Sequence, residues 1–179
     1  MKSGATDSAA GLILGIDPGT AITGYAVLDV SGRTRVVDSG YIGTSLKDSV
    51  VVRLHRIYRG VQELIARHHP AEVAVEQVFF NRNAKTALAV GQARGVILLA
   101  CADTPGDVFE YTPLEVKQAV CSYGRATKRQ IQYMVMRLLT LEEVPQPDDV
   151  ADAMAVALCH YCHRRHKALE ASLSTRAAT

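Results

Sequence analysis

The sequence predicts an α/β domain built on one mixed five-stranded sheet, an antiparallel meander followed by parallel strands, with helices on both faces. Three observations predict it. Three strand-like segments, 12–17, 22–30 and 33–42, follow one another through connectors too short for a helix, with Pro18-Gly19 and Ser31-Gly32 as turn residues. Connectors that short force antiparallel pairing of consecutive strands. Two further strands, 72–77 and 107–111, each follow a helical segment, and a strand–helix–strand crossover makes the strands parallel.

Taken in order, the first strand (Leu12-Ile13-Leu14-Gly15-Ile16) is apolar until Asp17, its last residue. After the meander, Leu46, Val50, Leu54, Ile57, Val61, Leu64 and Ile65 recur at helical spacing and predict a helix over 46–68, ended by His68-His69-Pro70. The strand 72–77 follows, apolar at Val73-Ala74-Val75 and closed by Glu76. A helix over 84–103 carries Ala87, Gly91 and Gly95 at four-residue spacing. That small-residue face permits close approach of another backbone, either the subunit's own sheet or a second subunit. Helices are predicted near 113–122, 127–140 and 148–166 after the last strand. Residues 1–10 read as a flexible extension, 11–167 as the folded domain, and 168–179, small, polar and aperiodic, as a disordered tail.

A length of 179 residues suits one domain with a substantial core, and 21% charged residues place the chain among water-soluble proteins. The polar start at Met1-Lys2-Ser3 lacks the apolar run of a signal peptide, and the apolar stretch 96–102 falls far short of a bilayer span. A cytoplasmic protein with reduced cysteines is expected. The net charge of +2 is too small to announce nucleic-acid binding, but its distribution says more. Residues 112–139 hold Lys117, Arg125, Lys128, Arg129 and Arg137 against one acid, Glu115, and a local basic surface suffices to bind phosphates.

Four carboxylates carry the chemistry. Asp17 and Glu76 each end an apolar strand, and Asp149 and Asp152 sit one turn apart on the last helix. A single acid of this kind is commonly a cap or a solvated charge. Four acids interrupting apolar elements point instead to a cation, because an unpartnered carboxylate is costly to desolvate. The set suits two Mg²⁺ or Mn²⁺ ions acting on a phosphodiester.

Several motifs make the chain recognisable: Ile-Leu-Gly-Ile-Asp-Pro-Gly-Thr (13–20), Thr-Gly-Tyr-Ala-Val (23–27), Val-Glu-Gln-Val-Phe (75–79), Gly-Gln-Ala-Arg-Gly (91–95), Phe-Glu-Tyr (109–111), Val-Lys-Gln (116–118) and Asp-x-x-Asp-Ala (149–153). In this order the sequence resembles the RuvC Holliday junction resolvases, from about residue 11 to residue 163. The resemblance implies a ribonuclease-H-like fold, a nuclease domain over 11–167, a homodimer, a divalent-metal site and paired nicks across four-way DNA junctions. It also implies a junction-binding branch-migration complex of the RuvA/RuvB type as a partner. Asp17 matches the ligand shared by both ions, with Glu76, Asp152 and Asp149 completing the set. Lys117 and Lys128 match lysines that the family places near the scissile phosphate, and Phe79 matches an aromatic wedge that stacks on an opened junction base. Phe80, Arg82, Lys85, Arg125 and Arg129 are further expected DNA contacts. The products implied are a 5′ phosphate and a 3′ hydroxyl.

Three features compete with this reading. Asp148 also lies near Asp152, but an aspartate following Pro147 at a helix start is expected to serve as a cap or as a favourable charge at the positive helix end. Cys159-His160-Tyr161-Cys162-His163 spells a haem-attachment signature, which would call for export, and Cys159, Cys162, His163 and His166 share a helical face as zinc ligands would, yet four ligands from two turns of one helix could hardly surround a tetrahedral ion. Buried cysteines acting as small hydrophobes explain it better. Gly15-Ile16-Asp17-Pro18-Gly19-Thr20 also looks like the phosphate loop of sugar kinases and actin-like ATPases, but those proteins pair two such domains and lack the terminal acids. A further alternative is another nuclease of the same fold.

Overall fold

Strand direction follows connector length. The computed structural model describes residues 11–77, 84–102, 104 and 106–177, apart from the side chains of 84–87 and 175–177. Its elements are β1 (Leu12–Asp17), β2 (Ile22–Asp29), β3 (Arg35–Gly43), α1 (Val50–His68), β4 (Glu72–Glu76), α2 (Ala84–Cys101), β5 (Asp107–Tyr111), α3 (Pro113–Cys121), α4 (Lys128–Leu138) and α5 (Asp148–Ala177). The sheet runs in the order β3-β2-β1-β4-β5. β1, β2 and β3 pair antiparallel through their short turns, whereas β4 lies parallel to β1, and β5 parallel to β4.

The period-two alternation of each strand divides the core. Leu14, Ile16, Val27, Val73 and Val75 pack on one face with Ile57, Val61 and Leu64 of α1 and Ala93 and Ile97 of α2. Ile13, Ala26, Leu28 and Ala74 pack on the other face with residues of α3, α4 and α5. Because successive side chains point to opposite faces, Gly15 and Asp17 share the face of Ile13, and Glu72 and Glu76 share that of Ala74. All of them look toward α5.

Two glycines let α5 lie directly on the sheet. A Cβ on Gly15 would stand 2.3 Å from the Ala153 carbonyl oxygen, and one on Gly24 would stand 2.0 Å from that of Asp149. The helix answers with small residues: Ala151, Ala153, Ala155 and Ala157 are fully buried. Any side chain at either glycine would push the N-terminal turns of α5 off the sheet edge.

Two boundaries differ from the sequence expectation. The helix expected from 46 begins at Val50, where the Ser49 hydroxyl accepts a hydrogen bond from the Val52 N–H. Leu46, which extended the apolar spacing, is 84% exposed and contributes nothing to the core. At the other end α5 continues to Ala177, through residues expected to be disordered. Residues 165–174 are exposed, so burial leaves no periodic signal there; Ala168, Leu169, Glu170 and Ala171 are instead strong helix formers that extend an existing helix.

Candidate functional site

Asp17 and Glu76 close two adjacent parallel strands. Ile16 is paired with Val75, so the two acids come next in line, at the carboxyl end of the sheet where α/β proteins place their ligands. The Asp17 carboxyl donates a hydrogen bond to Glu76. Burial, then the charges of Glu76 and Asp152, then that bond and Asp149, hold Asp17 well above the usual carboxylate range. Burial also raises Glu76; the bond from Asp17 opposes it, Asp152 adds to it, and Lys128 and Lys117 pull against it without reversing the shift. Asp152 is raised by burial in the same way, against the opposing bond from Lys128. The four acids selected from the sequence are therefore brought within electrostatic reach of one another.

The cations arrive from α3 and α4. Both helices are fixed at their starts by capping boxes, Thr112 with Glu115 and Thr127 with Gln130. Lys117, on α3, acts on Glu76, and Lys128, the first residue of α4, reaches across to α5. Its Nζ lies 2.5 Å from Asp148 Oδ2 and 3.0 Å from Asp152 Oδ2. Burial alone would lower the Lys128 pKa, but the bonds to Asp148 and Asp152 outweigh it and raise the pKa.

Asp148 keeps its expected place as an acid in the first turn of α5, and in addition pairs with a side chain of another helix, Lys128. The proximity of Lys128 to α5 is tertiary, and no local spacing encodes it. The spacer role of Gly15 and Gly24 was also missed, although a glycine inside an apolar strand is a signal of close backbone approach.

As the side chains stand, no three of the described His, Cys, Asp or Glu residues converge closely enough to hold a metal ion. Asp17 is bonded to Glu76 instead, and Asp152 to Lys128. The four carboxylates present only hard oxygen donors, and the raised pKa of three of them reports negative charge that Lys117 and Lys128 leave uncompensated. That donor set fits Mg²⁺ or Mn²⁺ better than zinc.

Among the other expected residues, Arg129 lines a surface cavity of about 560 Å³ with Tyr123 and Tyr133, separate from the acids. Phe79, Phe80 and Arg82 lie outside the described residues, as does the Lys85 side chain. The reading of both α5 cysteines as buried holds for Cys159 but not for Cys162, which is exposed because α5 leaves the core just beyond His160. Among the described residues, no helix is long and apolar enough to cross a membrane.

A β3-β2-β1-β4-β5 sheet with acids ending β1 and β4, joined by acids of the last helix, defines a ribonuclease-H-like protein with an acidic centre. The comparisons with known proteins narrow this class. The family model described as "Crossover junction endodeoxyribonuclease RuvC" matches residues 13–160. The crossover junction endodeoxyribonuclease RuvC of Moorella thermoacetica is 61% identical over 150 residues, 83% of this chain and 90% of that protein. The Thermus thermophilus RuvC structure superposes with a TM-score of 0.81 at 36% identity, covering 87% of this chain and 96% of that one. T. thermophilus RuvC in complex with a Holliday junction substrate matches with a TM-score of 0.79 at 35% identity, over 87% and 95% of the two chains. The chain belongs to the RuvC family.

Proposed function

We propose that this protein is a structure-selective endonuclease that resolves four-way (Holliday) DNA junctions by paired, symmetric nicks in recombination and repair. The single observation that carries the proposal is the convergence of Asp17, Glu76, Asp149 and Asp152 with Lys117 and Lys128 at one edge of the sheet.

Asp17, Glu76, Asp149 and Asp152 are the residues that would hold divalent ions, two Mg²⁺ or Mn²⁺ per site. When bound, such ions activate water and stabilise the departing oxygen in phosphodiester hydrolysis. The protein's own residues do the rest. The strand ends fix Asp17 and Glu76 rigidly, so that both would present carboxylate oxygens to the ions. Lys117 and Lys128 face the charge that develops on the phosphate, where a preorganised cation lowers the barrier. Release of the 3′ oxygen leaves a 5′ phosphate and a 3′ hydroxyl. Phe79 and Phe80 are the proposed aromatic contacts with an opened junction, and Arg82, Lys85, Arg125 and Arg129 the proposed phosphate contacts.

A homodimer supports symmetric cutting, because two identical sites related by a two-fold axis match a junction of near two-fold symmetry. The small-residue face of α2 favours it. A Cβ at Gly91 or Gly95 would meet nothing within 4 Å among the described residues, which leaves room there for another backbone. Leu88 and Leu99 flank them at 66% and 61% exposure. The protein is proposed to act in the cytoplasm, recruited by a branch-migration complex of the RuvA/RuvB type.

The test is to incubate the pure protein with end-labelled four-way junction, linear duplex and RNA–DNA hybrid in Mg²⁺ or Mn²⁺. Symmetric nicks in the junction alone are expected. Equal cutting of duplex or hybrid would contradict the substrate assignment while leaving the nuclease chemistry in place.

A further inference from the structure

We propose that Asp148 is a positioning residue for cleavage: it holds the Lys128 ammonium against Asp152 and acts on the reaction only through that lysine. The inference rests on the nuclease reading above.

Lys128 occupies an electrostatically adverse position, the first residue of α4, where the helix presents its positive end. Helix stability therefore does not explain the placement. The Lys128 ammonium is held instead by two carboxylates one turn apart on α5, at 2.5 Å from Asp148 and 3.0 Å from Asp152. The two anions differ in what else they touch. Asp152 acts on both Asp17 and Glu76, and so belongs to the acidic centre. Asp148 meets the Lys128 ammonium and the neighbouring Asp149, and its side chain is 48% exposed, more than twice the 23% of Asp152.

This division gives each acid a different task. Asp152 serves the acidic centre, whereas Asp148 is the outer anchor that completes the grip on the Lys128 ammonium. A lysine is a flexible four-carbon stem, and its tip is placed only as well as its partners place it. Misplacing a catalytic group by an ångström is enough to slow a reaction heavily. An ion pair this exposed contributes little to folding, so Asp148 can be altered without unfolding the chain.

The experiment compares Asp148→Asn, Asp148→Glu, Lys128→Ala and the Asp148→Asn/Lys128→Ala double variant in the full-length protein. Four quantities are measured: single-turnover cleavage at saturating enzyme, junction affinity, Mn²⁺ binding by electron paramagnetic resonance, and melting temperature. Asp148→Asn is expected to slow the saturated rate about tenfold, as for a displaced catalytic group. Junction affinity should stay within about twofold and the melting temperature within about 2 °C, as for loss of an exposed pair. Asp148→Glu should restore most of the rate, and the double variant should cut no more slowly than Lys128→Ala alone. Losses that multiply in the double variant, or an Asp148→Asn protein that cuts at the wild-type rate, would overturn the inference. So would weakened Mn²⁺ binding by Asp148→Asn in the Lys128→Ala background, since Asp148 would then be a metal ligand. A wild-type protein that cuts no junction would overturn the nuclease reading itself.

Discussion

Glu72 and Glu76 are the first and last residues of β4, face the same side of the sheet and are the same amino acid, yet their surroundings are opposite. Glu72 meets the guanidinium of Arg164 at 2.7 Å and lies 3.1 Å from Nε2 of the buried His160. The His160 Nδ1 in turn is 2.7 Å from the Tyr111 hydroxyl, and its ring packs on Phe109 with centroids 4.3 Å apart. The His160–Glu72 approach is close without being a well-aligned hydrogen bond, since Nε2 has no bonded partner among the described atoms. Glu76 instead faces Asp17 and Asp152, and the protein's own lysines do not bring its pKa down to the ordinary value. One end of the strand satisfies its charge from within the chain; the other leaves charge to be satisfied from outside. A charge paired within the chain ties α5 to the sheet, and a charge left uncompensated is the signature of a site.

The largest effect that sharpens this contrast is Asp17→Asn. It should reduce cleavage by at least about a thousandfold, the scale of losing several kcal/mol of transition-state stabilisation. It should also stabilise the metal-free protein at neutral pH. The sign follows from the raised folded-state pKa. Between the ordinary aspartate value and that raised value the folded state binds more protons than the unfolded, so stability is full below the window and is lost as pH rises through it. Thermal melts of the wild type from acid to neutral pH should show this decline, and Asp17→Asn should flatten it. A melting temperature lower than wild type at neutral pH would break the comparison.

A smaller and opposite effect is expected at the other end of the strand. Glu72→Ala leaves Arg164 and His160 without their carboxylate and should cost about 1–3 kcal/mol, discounted from a fully buried pair because Arg164 is partly exposed. Cleavage at saturating enzyme and permissive temperature should remain within a few-fold of wild type. Calorimetry and single-turnover rates measured together decide it; a loss of activity without a loss of stability would make Glu72 part of the site. The smallest effect belongs to Tyr111→Phe, which removes one buried hydrogen bond to His160 and should cost about 1 kcal/mol with cleavage intact.

What the sequence disclosed follows the same division. Strand directions and the two-sided core are consequences of period and connector length, which are local; the meeting of Asp17 with Glu76 followed from the family resemblance, because spacing alone does not set β1 beside β4. The pair Asp149 and Asp152 was legible because a helix repeats every turn and the family motif lies there. The Lys128–Asp148 contact and the Glu72–His160–Tyr111 network were not, because each joins residues from separate elements whose approach depends on how α5 lies across the sheet. The glycines that set that approach, Gly15 and Gly24, read in sequence as motif residues, because the α5 backbone that excludes a Cβ at each comes from more than a hundred residues away. The exposed end of α5 carries the converse lesson: it buries no apolar face and so shows no apolar period, although its residues favour a helix.

The central claim is that the acidic edge, and not the basic surface around it, cuts the junction. Its most direct test is nick mapping on a labelled four-way junction with wild type and Asp152→Asn at equal, saturating occupancy in Mg²⁺ and in Mn²⁺. The substitution keeps the side chain's shape and removes one carboxylate. Symmetric nicks on opposed strands are expected from the wild type and none from Asp152→Asn, although the variant binds the junction as tightly. Substantial nicking by bound Asp152→Asn in saturating Mn²⁺ would contradict it.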